Sequence, residues 1–244
     1  MKMRLDRWLT TLCVDSRSRV KEIIRNGQVK VDGKTVTDPA FSCETETQRL
    51  VLRDSEIDGR VMRHVLLNKP AGLLTAARDP KQPTVMDLLP EVFGGIGCMP
   101  VGRLDKDTTG VLLLTCDGEL NHRLLSPARH VDKVYRAVVE GKLTEKDVHA
   151  FADGLELSDF TALPARMTVL KADDCLSLAE VTVREGKFHQ IKRMFAAVGH
   201  EVKELHRLSF GPLTLDNGPA EGMWRELTEE ETDMLYEAAG MRTK

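Results

Sequence analysis

The 244-residue sequence contains no run of eighteen or more apolar residues, so it predicts no helix that crosses a membrane. Its first residues lack the apolar core and cleavage site of a secretory signal. The five cysteines are odd in number, widely spaced and free of any CxxC pair or Cys/His cluster, which excludes a recognisable disulfide framework or zinc motif. We therefore expect reduced thiols, no metal site and a cytoplasmic location.

The sequence also shows no internal repeat and no low-complexity segment. Its 41% hydrophobic and 30% charged residues are typical of a globular protein. The length suits one large domain or a small domain followed by a medium one. Nothing in the sequence indicates an oligomer, so we take a monomer as the default.

The net charge of -3 conceals an uneven distribution of charge. Residues 1–34 hold nine basic and four acidic side chains, whereas residues 221–244 hold seven acidic and three basic ones. A basic N-terminal segment of this kind is a better indication of a polyanionic partner than the sum is.

This basic segment has the pattern of two helices and a hairpin. Leu5–Leu9 carries apolar residues at helical spacing, and Ser16 is suited to begin a second helix that ends at Gly27. Asp32-Gly33 predicts a tight hairpin turn. The polar side of the second helix is either an ordinary solvated face or a surface that binds phosphates. Its basic residues are Arg17, Arg19, Lys21 and Arg25.

The first 60 residues resemble the alpha-L motif, a small RNA-binding domain named for a small-subunit ribosomal protein. The resemblance is carried by the segments RLDRWL, SRSR and IRNGQVKVDG, which begin at Arg4, Ser16 and Ile24. It implies that the four basic residues of the second helix contact RNA phosphates without reading sequence.

A polar stretch at residues 54–60 reads as a linker, which predicts a first domain over 1–60 and a second over 61–244. The second domain has more strand patterns than helix patterns, and they alternate irregularly. We predict an α+β fold, with a mixed, antiparallel-rich sheet and flanking helices behind a small N-terminal α/β domain. Helices are predicted near residues 84–89, 119–125, 144–151 and 188–198 and from residue 228.

The most informative segment is the charged turn at Val101–Gly110, VGRLDKDTTG, which precedes the apolar run Val111–Thr115. The apolar run predicts a buried strand, and carboxylates on a loop next to such a strand are held rigidly yet remain accessible. Asp105 is therefore the candidate reactive group. Asp107 is interpreted as capping its own loop through an Asx turn.

Three separated motifs and one further segment resemble the pseudouridine synthases, and within them the RsuA-type branch that acts on ribosomal RNA. The motifs are NKPAG from Asn68, GRLDKDTTG from Gly102 and EGKFHQIKRMF from Glu185, and the segment is SPARHVDKVY from Ser126. With the alpha-L segment, the resemblance spans almost the whole chain. It implies isomerisation of uridine to pseudouridine, with no cofactor and no metal.

The resemblance also implies roles for individual residues. Asp105 would be the nucleophile or base, Lys192 the cation paired with it, and Tyr135 the aromatic residue that stacks on the target base. The target uridine would have to leave its stack to reach Asp105. Arg103 is our own candidate for the nucleotide phosphate. Further predicted RNA contacts in the motifs are Lys69, His189, Gln190 and Arg193.

Other functions stay open at this point. A phosphotransferase would also contain the DxDxT pattern that starts at Asp105, with Asp173-Asp174 as later magnesium ligands, but its apolar strand should precede the aspartates. A non-catalytic ribosome-assembly protein would use the N-terminal domain alone. For a synthase, the Asp105 loop and Ser126-Pro127 favour small-subunit (16S) over large-subunit (23S) rRNA, with free rRNA or a pre-ribosomal particle as the partner.

Overall fold

The computed structural model describes residues 1–241, so the last three residues of the predicted second domain lie outside the described part. The chain forms two compact units. The first contains Met1–Arg63 and Leu89–Met99, and the second contains His64–Leu88 and the residues from Pro100 onward. In the described residues, no helix is both long and apolar enough to span a bilayer.

The first unit contains the two predicted helices and the predicted hairpin. Strands β2, β3, β5 and β6 form one antiparallel sheet in the order β3-β2-β5-β6, and β1 pairs separately with β4. The bounds are β1 (Lys2–Arg4), α1 (Leu5–Thr11), α2 (Arg17–Arg25), β2 (Val29–Val31), β3 (Lys34–Thr35), β4 (Ser42–Glu44), β5 (Leu50–Leu52), β6 (Ser55–Ile57) and a later helix, α3 (Glu91–Gly95).

The apolar sides of α1 and α2 form the core of this unit, where Trp8 is fully buried and its indole N–H donates to the carbonyl oxygen of Gly59 at 2.8 Å. Helix α3 packs in the same unit although its sequence lies beyond residue 61. A Cβ atom at Gly95 would lie 2.2 Å from the carbonyl oxygen of Thr11, so glycine permits this approach. The domain boundary at residue 60 stays a prediction.

The second unit contains most of the remaining elements. Its helices are α4 (Gly118–Leu125), α5 (Glu145–Asp153), α6 (Gln190–Ala197) and α7 (Glu229–Ala238), with 3₁₀ turns at Val85–Leu88 and Pro127–Arg129. Its strands are β7 (His64–Lys69), β9 (Thr109–Thr115), β10 (Lys133–Glu140), β11 (Leu155–Glu156), β12 (Thr161–Ala162), β13 (Arg166–Ala172), β14 (Leu176–Val183), β15 (Val202–Phe210), β16 (Leu213–Thr214) and β17 (Trp224–Glu226). The short strand β8 (Met99–Pro100) contains the last residue of the first unit and the first residue of the following segment of the second.

The large sheet has the order β13-β14-β10-β15-β9-β7-β17, with β16 beside β15 and β8 beside β9. Every pairing along this order is antiparallel except the parallel pair β15–β9. The α+β, antiparallel-rich prediction is therefore confirmed. The helix predicted at residues 84–89 is instead a single 3₁₀ turn.

Two sequence features position the loop that carries Asp105. Strand β9 is buried along almost its whole length, as its apolar run predicts. At its start, Gly110 has φ +102°, and a Cβ there would lie 2.2 Å from the carbonyl oxygen of Arg207. Glycine therefore lets β9 begin against β15, with the Asp105 loop immediately before it.

Candidate active site

The Asp105 loop is a tight turn at the N-terminal end of β9. The backbone N–H of Thr108 donates to the carbonyl oxygen of Asp105 at 3.1 Å, which closes the turn. The Asp105 side chain remains 25% exposed. Strand β9 follows Asp105 and Asp107 in the chain, whereas in a phosphotransferase the apolar strand should precede the aspartates.

The side chain of Lys69 forms hydrogen bonds with the backbone of this loop. Its side chain is fully buried, and its ammonium group donates to the carbonyl oxygens of Pro70 (3.0 Å), Lys106 (3.2 Å) and Thr108 (3.0 Å). Burial lowers the pKa of Lys69 to about 8, so the charged form with three donors predominates at neutral pH. The prediction that Lys69 contacts RNA is wrong, because its donors bind the loop.

Lys192, on helix α6, lies between two carboxylates. Its Nζ atom is 3.5 Å from Oδ2 of Asp105 and 2.6 and 2.8 Å from the two carboxylate oxygens of Asp107. Lys192 lies near Asp105, as predicted, but the carboxylate of Asp107 is closer to its ammonium group. The carboxylate of Asp107 therefore binds Lys192, in place of the predicted Asx turn, and this hydrogen bond lowers the pKa of Asp107.

Replacing Asp107 with asparagine is expected to lower kcat by about 3- to 10-fold and to leave the fold intact. The variant removes the Asp107 charge, which competes with Asp105 for Lys192. It also weakens the contacts that position Lys192, leaving Asp105 as its carboxylate partner. An exposed ion pair contributes about 1 kcal/mol or less, so the melting temperature should hardly change. Steady-state kinetics with a uridine-containing RNA substrate and thermal unfolding measure both effects; an unchanged kcat would show that Asp107 does not assist Lys192.

Tyr135 lies on β10, with its ring nearly buried, and borders the same pocket as Asp105. Its hydroxyl oxygen accepts a hydrogen bond from Nη1 of Arg207 at 3.4 Å. Arg207 was not predicted as a site residue, since an arginine within a mixed strand pattern gives no sign that its guanidinium is buried.

His189 lines this pocket, and the exposed ring of Phe188 packs on it. Nε2 of His189 is 3.5 Å from Oδ1 of Asp105, and the His189 ring stacks on Phe188 with centroids 3.7 Å apart. His189 has φ +50°, a left-handed conformation at the residue before α6. Phe188 is 67% exposed, so its aromatic ring is accessible to solvent. Phe188 was not predicted as a site residue.

Two further residues predicted to contact RNA have partners within the protein. The amide of Gln190 is buried, donates to Glu185 at 2.7 Å and accepts from the backbone N–H of Lys187 at 3.0 Å. The guanidinium of Arg193 binds Asp159 and lies 4.9 Å from the centroid of the Phe160 ring. The RNA contacts of Gln190 and Arg193 therefore stay predictions, and both side chains also bind neighbouring loops of the protein.

Arg103 is exposed and borders the pocket, and its contact with a nucleotide phosphate stays a prediction. Thr108 also borders it, and its buried hydroxyl has no hydrogen-bond partner in residues 1–241. The remaining lining residues are Leu104, Val183, Glu185, Gly186, Lys187, Ile191 and Leu205, together with Asp105, Tyr135, His189 and Gln190.

The first unit contains a separate basic groove, which is defined here by Arg4, Arg7, Arg17 and Lys21. Asp6 also lines it and pairs with Arg4 at 2.8 Å. Of the four predicted RNA-binding residues, Arg17 and Lys21 line the groove. Arg19 is exposed but pairs with Glu22 at 2.6 Å, and Arg25 is exposed outside the groove lining.

Comparisons with known proteins agree with this geometry. A family model described as RNA pseudouridylate synthase matches residues 63–197, and the S4 domain model matches residues 3–48. An uncharacterized RNA pseudouridine synthase of Bacillus subtilis is 40% identical over 236 residues, which cover 96% of this chain and 99% of that protein.

Two further matches cover nearly the whole chain. Ribosomal small subunit pseudouridine synthase A of Escherichia coli is 38% identical, with 94% of this chain and 98% of that protein covered. A solved structure of a pseudouridylate synthase superposes with a TM-score of 0.65 at 33% identity and covers 96% of this chain and 99% of its own. The chain therefore belongs to the RNA pseudouridylate synthase family, whose members are isomerases, and carries an N-terminal S4 domain.

Proposed function

We propose that this protein converts a single uridine of small-subunit ribosomal RNA to pseudouridine. The choice of substrate is supported by relatives in Escherichia coli and Yersinia pestis, each 38% identical over 237 residues and each named ribosomal small subunit pseudouridine synthase A. The Asp105 loop and the Ser126-Pro127 segment favour the same branch.

The observation that carries the proposal is one pocket bordered by Asp105 and Tyr135, with the Lys192 ammonium 3.5 Å from the carboxylate. A carboxylate beside a cation stays ionised at neutral pH. Isomerisation breaks the bond from ribose C1′ to uracil N1 and forms one from C1′ to C5, while a proton leaves C5 and N1 gains one. An ionised Asp105 serves as the nucleophile or base in this sequence, and Tyr135 stacks on the uracil ring.

The target uridine reaches Asp105 by leaving its stack in the folded RNA, which costs a few kcal/mol. Arg103 and His189 are exposed at the same pocket and are suited to contact the phosphates of an extruded nucleotide. The exposed ring of Phe188 offers a stacking surface for a neighbouring base. Specificity then comes from the shape of the RNA around an unpaired base.

The basic groove of the first unit supplies affinity for RNA without base specificity. Replacing Arg17 and Lys21 together with glutamine is expected to weaken RNA binding about 10-fold near physiological salt. The dependence of log Kd on log salt concentration should fall by about 1.5, since each lost phosphate contact removes roughly 0.7–0.9. Fluorescence anisotropy at several salt concentrations measures both values.

The matched control replaces Arg19 and Arg25, which removes the same charge from the same helix outside the groove. A smaller loss of affinity and a smaller change in salt dependence are expected for this control. Equal effects from the two double variants would contradict a defined groove and favour a diffuse basic face.

Mapping pseudouridine in ribosomal RNA from cells with and without this protein tests the reaction and the substrate together. The expected result is one missing pseudouridine in small-subunit rRNA, which purified protein restores on naked rRNA or on a pre-ribosomal particle. A missing site in large-subunit rRNA would correct the substrate. No missing site, together with retained RNA binding, would favour a non-catalytic ribosome-assembly protein.

A further inference from the structure

Arg207, on strand β15, has a buried, positively charged guanidinium group that lacks a carboxylate partner in the described residues. Its side chain is 2% exposed, and no carboxylate in residues 1–241 forms an ion pair with it. Nε donates to the carbonyl oxygen of Val111 at 2.6 Å and Nη1 donates to the hydroxyl of Tyr135 at 3.4 Å. Nη2 has no hydrogen-bond partner within the same described residues.

This arrangement works against stability. A buried charge without an opposite charge is unfavourable because it loses its hydration. Two buried ammonium groups add to the positive charge: burial lowers the pKa values of Lys69 and Lys133 to about 8 each, and the positive charge of Arg207 contributes to both shifts. The guanidinium carbon lies 5.2 Å from the centroid of the Phe210 ring and 6.0 Å from that of the Tyr135 ring, and these cation–π contacts offset part of the cost. The hydrogen bonds of the guanidinium indicate a role beyond packing.

The sheet register shows what Arg207 joins. Strand β15 lies between β10 and β9, where Arg207 is opposite Tyr135 on one side and Gly110 on the other. The guanidinium is planar and rigid, so its two bonded nitrogen atoms fix a distance and an angle at once. One nitrogen holds the strand that follows the Asp105 loop, and another holds the phenol that borders the same pocket.

We propose that Arg207 is a positioning residue for the isomerisation: by binding the Val111 carbonyl and the Tyr135 hydroxyl it fixes the Tyr135 ring relative to the Asp105 loop. The inference rests on the proposed function, in which Tyr135 stacks on the uracil of the uridine for which Asp105 is the nucleophile or base. A ring that is free to shift by about 1 Å would present the base poorly, and a misplacement of that size costs on the order of 10²-fold in rate.

The first test needs no substrate. The chain has two tyrosines, so protein labelled with 3-fluorotyrosine gives two ¹⁹F resonances, which Tyr135→Phe and Tyr236→Phe assign. In Arg207→Met the Tyr135 resonance is expected to shift and to change in linewidth, because the Tyr135 hydroxyl loses its hydrogen bond from the guanidinium. The Tyr236 resonance serves as an internal control, because its hydroxyl binds Asp117 at 2.7 Å. An unmoved Tyr135 resonance would overturn the proposal.

The second test is kinetic and uses the substrate RNA identified by mapping. Arg207→Met is expected to lower kcat about 10- to 100-fold, to change KM less than 3-fold, and to leave the melting temperature within a few degrees of the wild type or above it. Arg207→Lys retains the charge but cannot hold both oxygens, so it should recover little activity. Full recovery by lysine would assign a purely electrostatic role instead.

A double-mutant cycle separates positioning from a general effect on the fold. Because Tyr135→Phe removes the oxygen that Arg207 binds, the double variant with Arg207→Met is expected to be no slower than Arg207→Met alone. Effects that multiply independently would refute the coupling. Should Arg207→Met fail to fold, Arg207→Lys completes the same cycle and the same ¹⁹F measurement.

The matched control is Arg136→Met on β10, whose exposed guanidinium pairs with Glu180 and should leave kcat and the Tyr135 resonance unchanged. Failure of the proposed function would appear separately, as wild-type protein that forms no pseudouridine in small-subunit rRNA. The ¹⁹F result would still decide whether Arg207 fixes Tyr135.

Discussion

Asp105→Asn is expected to form no detectable pseudouridine while it binds substrate RNA as well as the wild type does. The amide has nearly the shape of the carboxylate, but it is neutral and is neither an effective nucleophile nor a base at neutral pH. Loss of a reacting group typically lowers turnover on the order of 10⁴-fold or more. Release of tritium from RNA labelled at uracil C5 measures the reaction, because the C5 hydrogen is lost when the new bond forms.

Binding should survive for a physical reason. The basic groove proposed to contact phosphates lies in the first unit, and Asp105 contributes a negative charge that repels RNA. Removing this charge therefore leaves Kd unchanged or slightly lower. Asp107→Asn is the matched control, since it removes the same charge two residues away and keeps measurable activity. If Asp105→Asn retained more than about a tenth of wild-type turnover, the carboxylate would not be the reacting group.

The sequence predicted the central trio of the site because each member belongs to a separate, recognisable motif. Asp105, Tyr135 and Lys192 come from a loop, a strand and a helix, and the structure brings the three elements to one pocket. Regular elements with strong periodicity, such as the alternating strand β10 and the helix α6, were also predictable from local pattern.

The supporting residues could not be predicted in this way. Lys69 and Arg207 are charged, and a charged residue in a strand is normally taken to face solvent. Their burial depends on pairings between distant segments, above all the parallel pair β15–β9. The protein partners of Gln190 and Arg193 could not be predicted for a related reason, since Glu185 and Asp159, which bind them, lie on loops outside α6.

Lys69→Met is expected to have the second large effect, because it removes the group that holds the Asp105 loop. The carbonyl oxygens of Pro70 and Thr108 would lose a charged donor, and each unsatisfied buried acceptor costs about 1–3 kcal/mol. Lys106 keeps the hydrogen bond that its carbonyl accepts from the backbone N–H of Gly72 at 2.8 Å. Relief of the buried charge offsets part of the loss, so the free energy of unfolding should fall by about 2 kcal/mol.

Turnover should fall further than stability, by about 10²-fold, since a loop displaced by about 1 Å misplaces the carboxylate. Urea unfolding measures the first effect, and tritium release at a temperature where the variant stays folded measures the second. Lys106→Met is the control: its exposed ammonium binds Gln82 at 2.8 Å, away from the carbonyl oxygens of the Asp105 loop, and both quantities should stay near the wild type. A Lys69→Met protein with normal turnover would mean that the remaining contacts of the loop, such as the Thr108 turn, suffice to hold Asp105. Normal turnover with a lower stability would show that Lys69 contributes to folding stability only. The combined loss expected here would show that a buried cation also sets the position of the reacting carboxylate.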